Sequence, residues 1–272
     1  MIGIPARSDK ERGWSPEESG SSEALLLEKQ AGKLAQVYEE WIDSVDWKND
    51  EPIFIINGKP VHWAGGRLLR EEHLGQTSEY GSIFYPYNKG PLSGLLPLEE
   101  PVQRSADFWE SLFGTTEKEV RNHCAARQFL NHFVFLNRAC LDSLHLVERD
   151  ILRSARKDKV VLRFLNDLKI VYSFERRQTK GYRENLSLHS FGLALDLVPE
   201  SYHGKQVFWR WSRVFHKEDW YLIPPENRWS PPQAVIDAFE AHGFAWGGKW
   251  LHFDTIHFEF RPEIVLVPGV AR

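Results

Sequence analysis

Along the chain, apolar residues recur in two different periods, and each period predicts its own kind of element. Within residues 23–47, Leu27, Leu34, Val37, Trp41 and Ile42 gather on one side among charged residues, which predicts an amphipathic helix. Ile53-Phe54-Ile55-Ile56, Asn57-Gly58 and Val61-His62-Trp63 then predict a two-residue hairpin, because Asn-Gly accepts the left-handed backbone such turns need. Pro60, which has no N–H to give, points to an edge position for the returning strand. Residues 65–101 scatter Tyr80, Phe84, Tyr85 and Tyr87 among Gly and Pro. They read as an irregular aromatic layer packed on the rest of the protein, with a glycan groove as the alternative.

From residue 116 the spacing predicts a long helical region, since Phe129, Phe133, Leu136, Cys140, Leu144, Val147 and Ile151 recur at three and four residues. Cys140 lies in that stripe as a small buried hydrophobe, while His123, His132 and His145 read as surface or capping residues. Residues 165–178 return to β-like composition around Ile170 and Phe174. A loop is expected over 199–230; its Trp209, Trp211, Trp220 and Trp229 would wall a cleft. Ser230-Pro231-Pro232 opens a further helix with Ser230 as N-cap, Val235, Ile236 and Phe239 inward, and Gly243 at its end.

Two stretches carry chemistry. After Gly192, Leu193, Leu195 and Leu197 alternate with Ala194 and Asp196, as in a half-buried strand whose Gly/Ala face is kept free of bulk around a carboxylate. His189 has the wrong parity for that face and reaches it from a turn shaped by Ser187 and Gly192. A His and an Asp make half a metal site. The third ligand is His257, which alternates with Glu259 against Ile256, Phe258 and Phe260. Glu259 shares the His257 face and can orient a ligand. Asp254 stands too close to His257 to act independently on a flat strand, so a bend is expected near Thr255.

The chain has 272 residues, 42% of them hydrophobic, so it can bury a substantial core. A formal charge of −4 with no basic run argues against a nucleic-acid partner. Cys124 and Cys140, placed on one helix, would stand about 24 Å apart, too far to bridge. The first 22 residues are charged and rich in Ser, Gly and Pro, with no membrane-spanning segment. Met1 is the only methionine, which fits a start placed after a removed signal peptide; a natural cytoplasmic start is the alternative.

The pattern Ser187-x-His189-x-x-Gly192-x-Ala194-x-Asp196, followed by Trp246-Gly247-Gly248-x-Trp250 and Asp254-x-x-His257-Phe258-Glu259, resembles the zinc D-Ala-D-Ala peptidase family. That family includes VanY-like carboxypeptidases and phage L-alanyl-D-glutamate endopeptidases. The resemblance covers roughly residues 160–262. It implies Zn2+ held by His189, Asp196 and His257, with Asp254 as catalytic base and an arginine contacting the substrate carbonyl or carboxylate. Arg177 fits that arginine best by its distance from Gly181, with Arg176 as the fallback. Ser187 and Trp250 are expected to meet substrate. His252 lies off the motif positions and has no assigned role.

The expected fold is α+β: a small antiparallel sheet with packed helices carrying a zinc site, plus an N-terminal helical and irregular extension. The expected organisation is a tail over 1–22, an accessory region over 23–105 and a catalytic domain over 106–272. The resemblance implies hydrolysis of peptidoglycan stem peptides in a periplasmic or extracellular setting, by either carboxypeptidase or endopeptidase action. The other class is a zinc-containing binding module without hydrolysis, similar to the Hedgehog N-terminal domain; an acid at Asp254 counts against it.

Overall fold

The computed structural model describes residues 16–85, 87–92, 104–176 and 187–267 of the chain. Helix α1 (Pro16–Val37) leads into a four-stranded meander, β1 (Ile42–Lys48), β2 (Glu51–Ile56), β3 (Lys59–Ala64) and β4 (Arg67–Arg70), each strand antiparallel to the next. The helix expected over 23–47 therefore stops at Val37, and Ile42 to Trp47 form a strand. Ala31 and Leu34 are buried on α1, whereas Ile42 and Val45 pair across to Ile56 and Phe54. Asn57 and Gly58 take φ of 52° and 72°, the left-handed pair that a tight hairpin requires. Pro60 does not mark an edge strand, since β3 pairs on both sides. It lies one residue beyond Val61, the last position opposite β4, so its missing N–H costs no ladder bond.

A run of 3-10 turns (Glu71–Glu79) follows, then the short helices α2 (Asp107–Phe113) and α3 (Glu117–Asn122). Helix α3 opens on a reciprocal cap between Thr116 and Glu119. The long helix expected from residue 116 is broken here by a hairpin, β5 (Cys124–Phe129) and β6 (His132–Asn137), and resumes as α4 (Arg138–Ala155). Phe133, counted into the helical stripe, is 84% exposed, while Phe129, Val134 and Leu136 turn inward by strand parity. The hairpin turns on Leu130 and Asn131, both at positive φ. Asn137 then caps α4 by accepting from the Ala139 N–H, and Cys140, Leu144, Val147 and Ile151 form its buried stripe. The cysteines are thus not spread along one helix. Cys124 sits opposite Asn137, three residues before Cys140, and both thiols are free and buried.

Helix α5 (Lys159–Asp167), capped by Asp158, leads to β7 (Leu168–Tyr172), and β8 (Ala194–Pro199) follows. Residues 199–230 are not one open loop. They hold α6 (Trp209–His216) and two 3-10 turns, and Trp209, Trp220, Ile223 and Phe253 close a small apolar cluster of their own. Helix α7 (Gln233–Ala241) starts later than expected and without a serine cap, because the Ser230 hydroxyl donates to the Pro231 carbonyl instead. Val235, Ile236 and Phe239 face the core, and Gly243 (φ 87°) follows the helix end. Strands β9 (Phe244–Trp246) and β10 (His257–Phe260) complete a sheet of order β7-β8-β10-β9, and α8 (Pro262–Val265) follows.

The fold is α+β, as its alternating periods require. Its main core runs from Ala31 and Leu34 of α1 through Phe54, Phe108, Leu144 and Phe239 to Phe258 and Phe260. Phe239 stacks on Phe258 with ring centroids 4.0 Å apart, which fixes α7 on the sheet. Two tyrosines of the aromatic layer pack as expected: Tyr85 and Tyr87 are buried beside Ala245, Trp250, Ile264 and Val265. Strand β8 is not half-buried, however. Its Gly/Ala face is covered too, and Gly192, at φ 67°, has no room for a side chain: an added Cβ would stand 2.8 Å from both the Asn137 nitrogen and the Cys124 sulfur. Gly192→Ala is therefore expected to destabilise the protein by about 1–3 kcal/mol, measured as a fall in the denaturant midpoint with an unchanged slope.

Candidate metal centre

Register builds the site. Strand β10 pairs antiparallel with β8 so that His257 lies directly opposite Asp196, and β7 brings Tyr172 to the other side of Asp196. Residues directly opposite one another on a ladder share a face with Cβ atoms about 5 Å apart. A carboxylate and an imidazole are therefore forced together by the same pairing that stacks Phe258 and Leu195 into the core. His189 arrives from a 3-10 turn, Leu188–Phe191, whose N-cap is Ser187 and whose exit is the left-handed Gly192. Asn137 locks that turn from outside: its N–H donates to the Gly192 carbonyl at 2.9 Å and its amide to the Phe191 carbonyl at 3.2 Å.

Three atoms converge. His189 Nε2 is 3.0 Å from Asp196 Oδ1 and 3.2 Å from His257 Nδ1, and His257 Nδ1 is 2.9 Å from Asp196 Oδ1. All three residues are at most 7% exposed. The opposite ring nitrogens are engaged as well. His189 Nδ1 lies 2.6 Å from the Ser173 carbonyl, an acceptor only, so that nitrogen carries the proton and Nε2 turns its lone pair to the centre. His257 Nε2 lies 3.5 Å from Glu259 Oε2.

Such a cluster demands a positive charge in its middle, because a buried carboxylate and imidazole lone pairs facing one another are all acceptors. In the protein alone, His257 supplies it. Burial pulls its pKa down, but hydrogen bonds to Asp196 and Glu259, with the charges of Asp196 and Asp254, push it up to about 10. Burial likewise opposes ionisation of Asp196, yet His189 and His257 hold its pKa well below the usual carboxylate range. A divalent cation would replace that proton. Two imidazoles and a carboxylate within about 3 Å of each other are the donor types and spacing of a three-ligand zinc site with one position left open. The residues therefore fit a metal ion.

Asp254 stands at the expected bend, ahead of β10, in an isolated antiparallel bridge with Phe208. The glycines of the Trp-Gly-Gly-x-Trp motif explain its position. An added Cβ on Gly247 would lie 2.6 Å from the Asp254 carbonyl oxygen, and one on Gly248 would enter the Trp246 ring. The Asp254 N–H donates to the Gly247 carbonyl at 3.1 Å, and the His257 N–H to the Asp254 carbonyl at 3.3 Å. The Asp254 charge helps raise the pKa of both His257 and Tyr202; for Tyr202 it adds to the larger effect of burial. Trp250 places its ring 5.5 Å from that of His257.

Other residues singled out from the sequence stand elsewhere. Arg176 donates to the Thr115 carbonyl and lies 5.9 Å from the Phe191 ring, on the turn that carries His189. Arg177 lies outside the described residues. Ser187 spends its hydroxyl on the His189 N–H at 3.4 Å. His252 packs between Trp209 and Trp220.

Glu259 sits beneath His257 as its shared strand face requires, with partners drawn both from its own strand end and from far away. Arg104 donates to both its oxygens, at 2.9 and 3.4 Å, Arg261 donates at 3.1 Å and the Tyr85 hydroxyl at 3.4 Å. Burial works against the Glu259 charge, but Arg104, His257 and Arg261 keep its pKa well below normal. The same N-terminal segment also holds the motif turn, since the Tyr87 hydroxyl donates to Glu240 at 2.6 Å and accepts from the Trp246 N–H at 2.8 Å. Lys249 bonds Glu240 and the Asn88 carbonyl. Sequence reasoning missed Arg104 and Tyr202; neither belongs to a motif, and only the tertiary fold brings them near.

No solved structure gives a significant match to the chain. Residues 180–260, which span both motifs, match the family model described as D-alanyl-D-alanine carboxypeptidase. That segment, which contains His189, Asp196, Asp254 and His257, is thus similar to the D-alanyl-D-alanine carboxypeptidase family.

Proposed function

We propose that the protein is a zinc metallopeptidase that hydrolyses amide bonds in the stem peptides of peptidoglycan. The observation that carries this reading is the convergence of His189 Nε2, Asp196 Oδ1 and His257 Nδ1, with Asp254 held on the adjoining bend. The family match supports the substrate class.

Zinc in this donor set would supply Lewis acidity toward the scissile carbonyl and an attacking water of lowered pKa. The chain's own residues do the rest. The Ser173 carbonyl and Glu259 fix the orientation of the two imidazoles, and Asp196 provides the negative charge that favours a cation. Asp254 takes a proton from the attacking water and returns it to the departing amine as the carbon–nitrogen bond breaks. Trp250, buried with its ring 5.5 Å from that of His257, packs beside that imidazole. Arg177 is the proposed partner of the developing oxyanion or of a substrate carboxylate.

The test is incubation of the zinc-loaded protein with peptidoglycan fragments bearing pentapeptide stems, with and without chelator, and product identification by mass. Chelator-sensitive release of one terminal alanine identifies a carboxypeptidase, and release of the whole stem an endopeptidase. Zinc binding without any cleavage would instead favour the non-hydrolytic binding module. Asp254→Ala is expected to lower turnover by at least about a hundredfold while one zinc per chain is retained; loss of zinc as well would make Asp254 a ligand.

Zinc uptake must also displace the His257 proton. With the His257 pKa at about 10, affinity is expected to fall about tenfold for each pH unit below that value, as isothermal titration in buffers of different ionisation enthalpy would measure. A pH-independent affinity between pH 6 and 9 would rule out proton displacement at this imidazole.

A further inference from the structure

The strand face that carries His257 and Glu259 is closed over by residues from outside the segment that matches the family. Arg104 is the central one. Its guanidinium addresses both oxygens of Glu259 and lies 6.0 Å from the Trp250 ring centroid, so it touches two neighbours of His257 at once. Arg261 is spread more thinly: besides Glu259 Oε1 it serves Glu263 and the Ile83 carbonyl. Two buried carboxylates, Glu259 and Glu263, thus face two arginines. Without Arg104 a single arginine would be left between both carboxylates, and Glu259 would be drawn toward Arg261 and away from His257 Nε2.

We propose that Arg104 is a positioning residue of the metal centre, acting through Glu259 on the orientation of His257, so that this arginine is part of the working site and not merely packed against it. The proposal rests on the metallopeptidase reading. Its chemistry is that of a partner behind a metal ligand: a carboxylate that accepts from the far nitrogen of an imidazole holds the ring in place, and the carboxylate needs its own fixed donors. A forked guanidinium provides two directed hydrogen bonds where an ammonium provides one point charge.

The readout is zinc affinity of the full chain, by competition with a chromophoric chelator, alongside the thermal midpoint of the metal-free protein. Arg104→Met is expected to weaken zinc binding by about 10–100-fold, and Arg104→Lys by roughly threefold to tenfold, because charge returns without the fork. Arg70→Ala, which removes ion pairs to Asp107 and Glu110 in the same N-terminal region, serves as the comparison; it is expected to lower the thermal midpoint and leave zinc affinity unchanged. A merely structural Arg104 would behave like Arg70. If the wild type binds zinc and a folded Arg104→Met variant binds it equally well, the inference is overturned. If Arg104→Met does not fold, wild-type affinity in Arg104→Lys overturns it. A wild type that binds no zinc overturns the metallopeptidase reading itself.

Discussion

Everything at the candidate centre hangs on the antiparallel register that sets His257 opposite Asp196. Slipping β10 against β8 by one residue would turn His257 and Glu259 toward the core and Phe258 and Phe260 toward the site. The stacked contact of Phe258 with Phe239, and the burial of Leu195 and Leu197 on the same side, make that slip expensive. The hydrophobic core therefore chooses the register, and the register places the ligand atoms.

Around that pairing the structure adds constraints that each remove one freedom. Asn137 fixes the His189 turn from the side of α4, Ser173 fixes the His189 tautomer, and the paired glycines of the motif turn let Asp254 come within reach of its neighbours. None of these contacts involves a large energy alone. Together they hold four ionisable groups in a buried space where any loose member would face the cost of an unsatisfied charge.

The strands of the site were legible because their alternation is local: Leu193, Leu195 and Leu197, then Phe258 and Phe260, point one way and leave Asp196 and His257 the other. The Asn57-Gly58 hairpin was legible for the same reason. The hairpin over residues 124–137 was not, because Phe129, Phe133 and Leu136 happen to continue the spacing of the true helix after Arg138, and only the exposure of Phe133 exposes the coincidence. The end of α1 at Val37 was hidden similarly, since Trp41 and Ile42 prolong its apolar side. The links of Arg104 and Tyr85 to Glu259 left no local trace at all, since that partner lies 155 and 174 positions away.

Those long separations bear on how the molecule comes into being. Loop closure must be achieved before a distant contact can stabilise anything, so pairings across 61 residues between Asp196 and His257, and across 155 between Arg104 and Glu259, form slowly. During synthesis from the amino end, Tyr85 and Arg104 emerge long before the strand they cover. Until residues near 260 leave the ribosome, those two side chains have no surface to settle on. A chain released early would expose them, and the metal centre can take shape only after translation has passed β10.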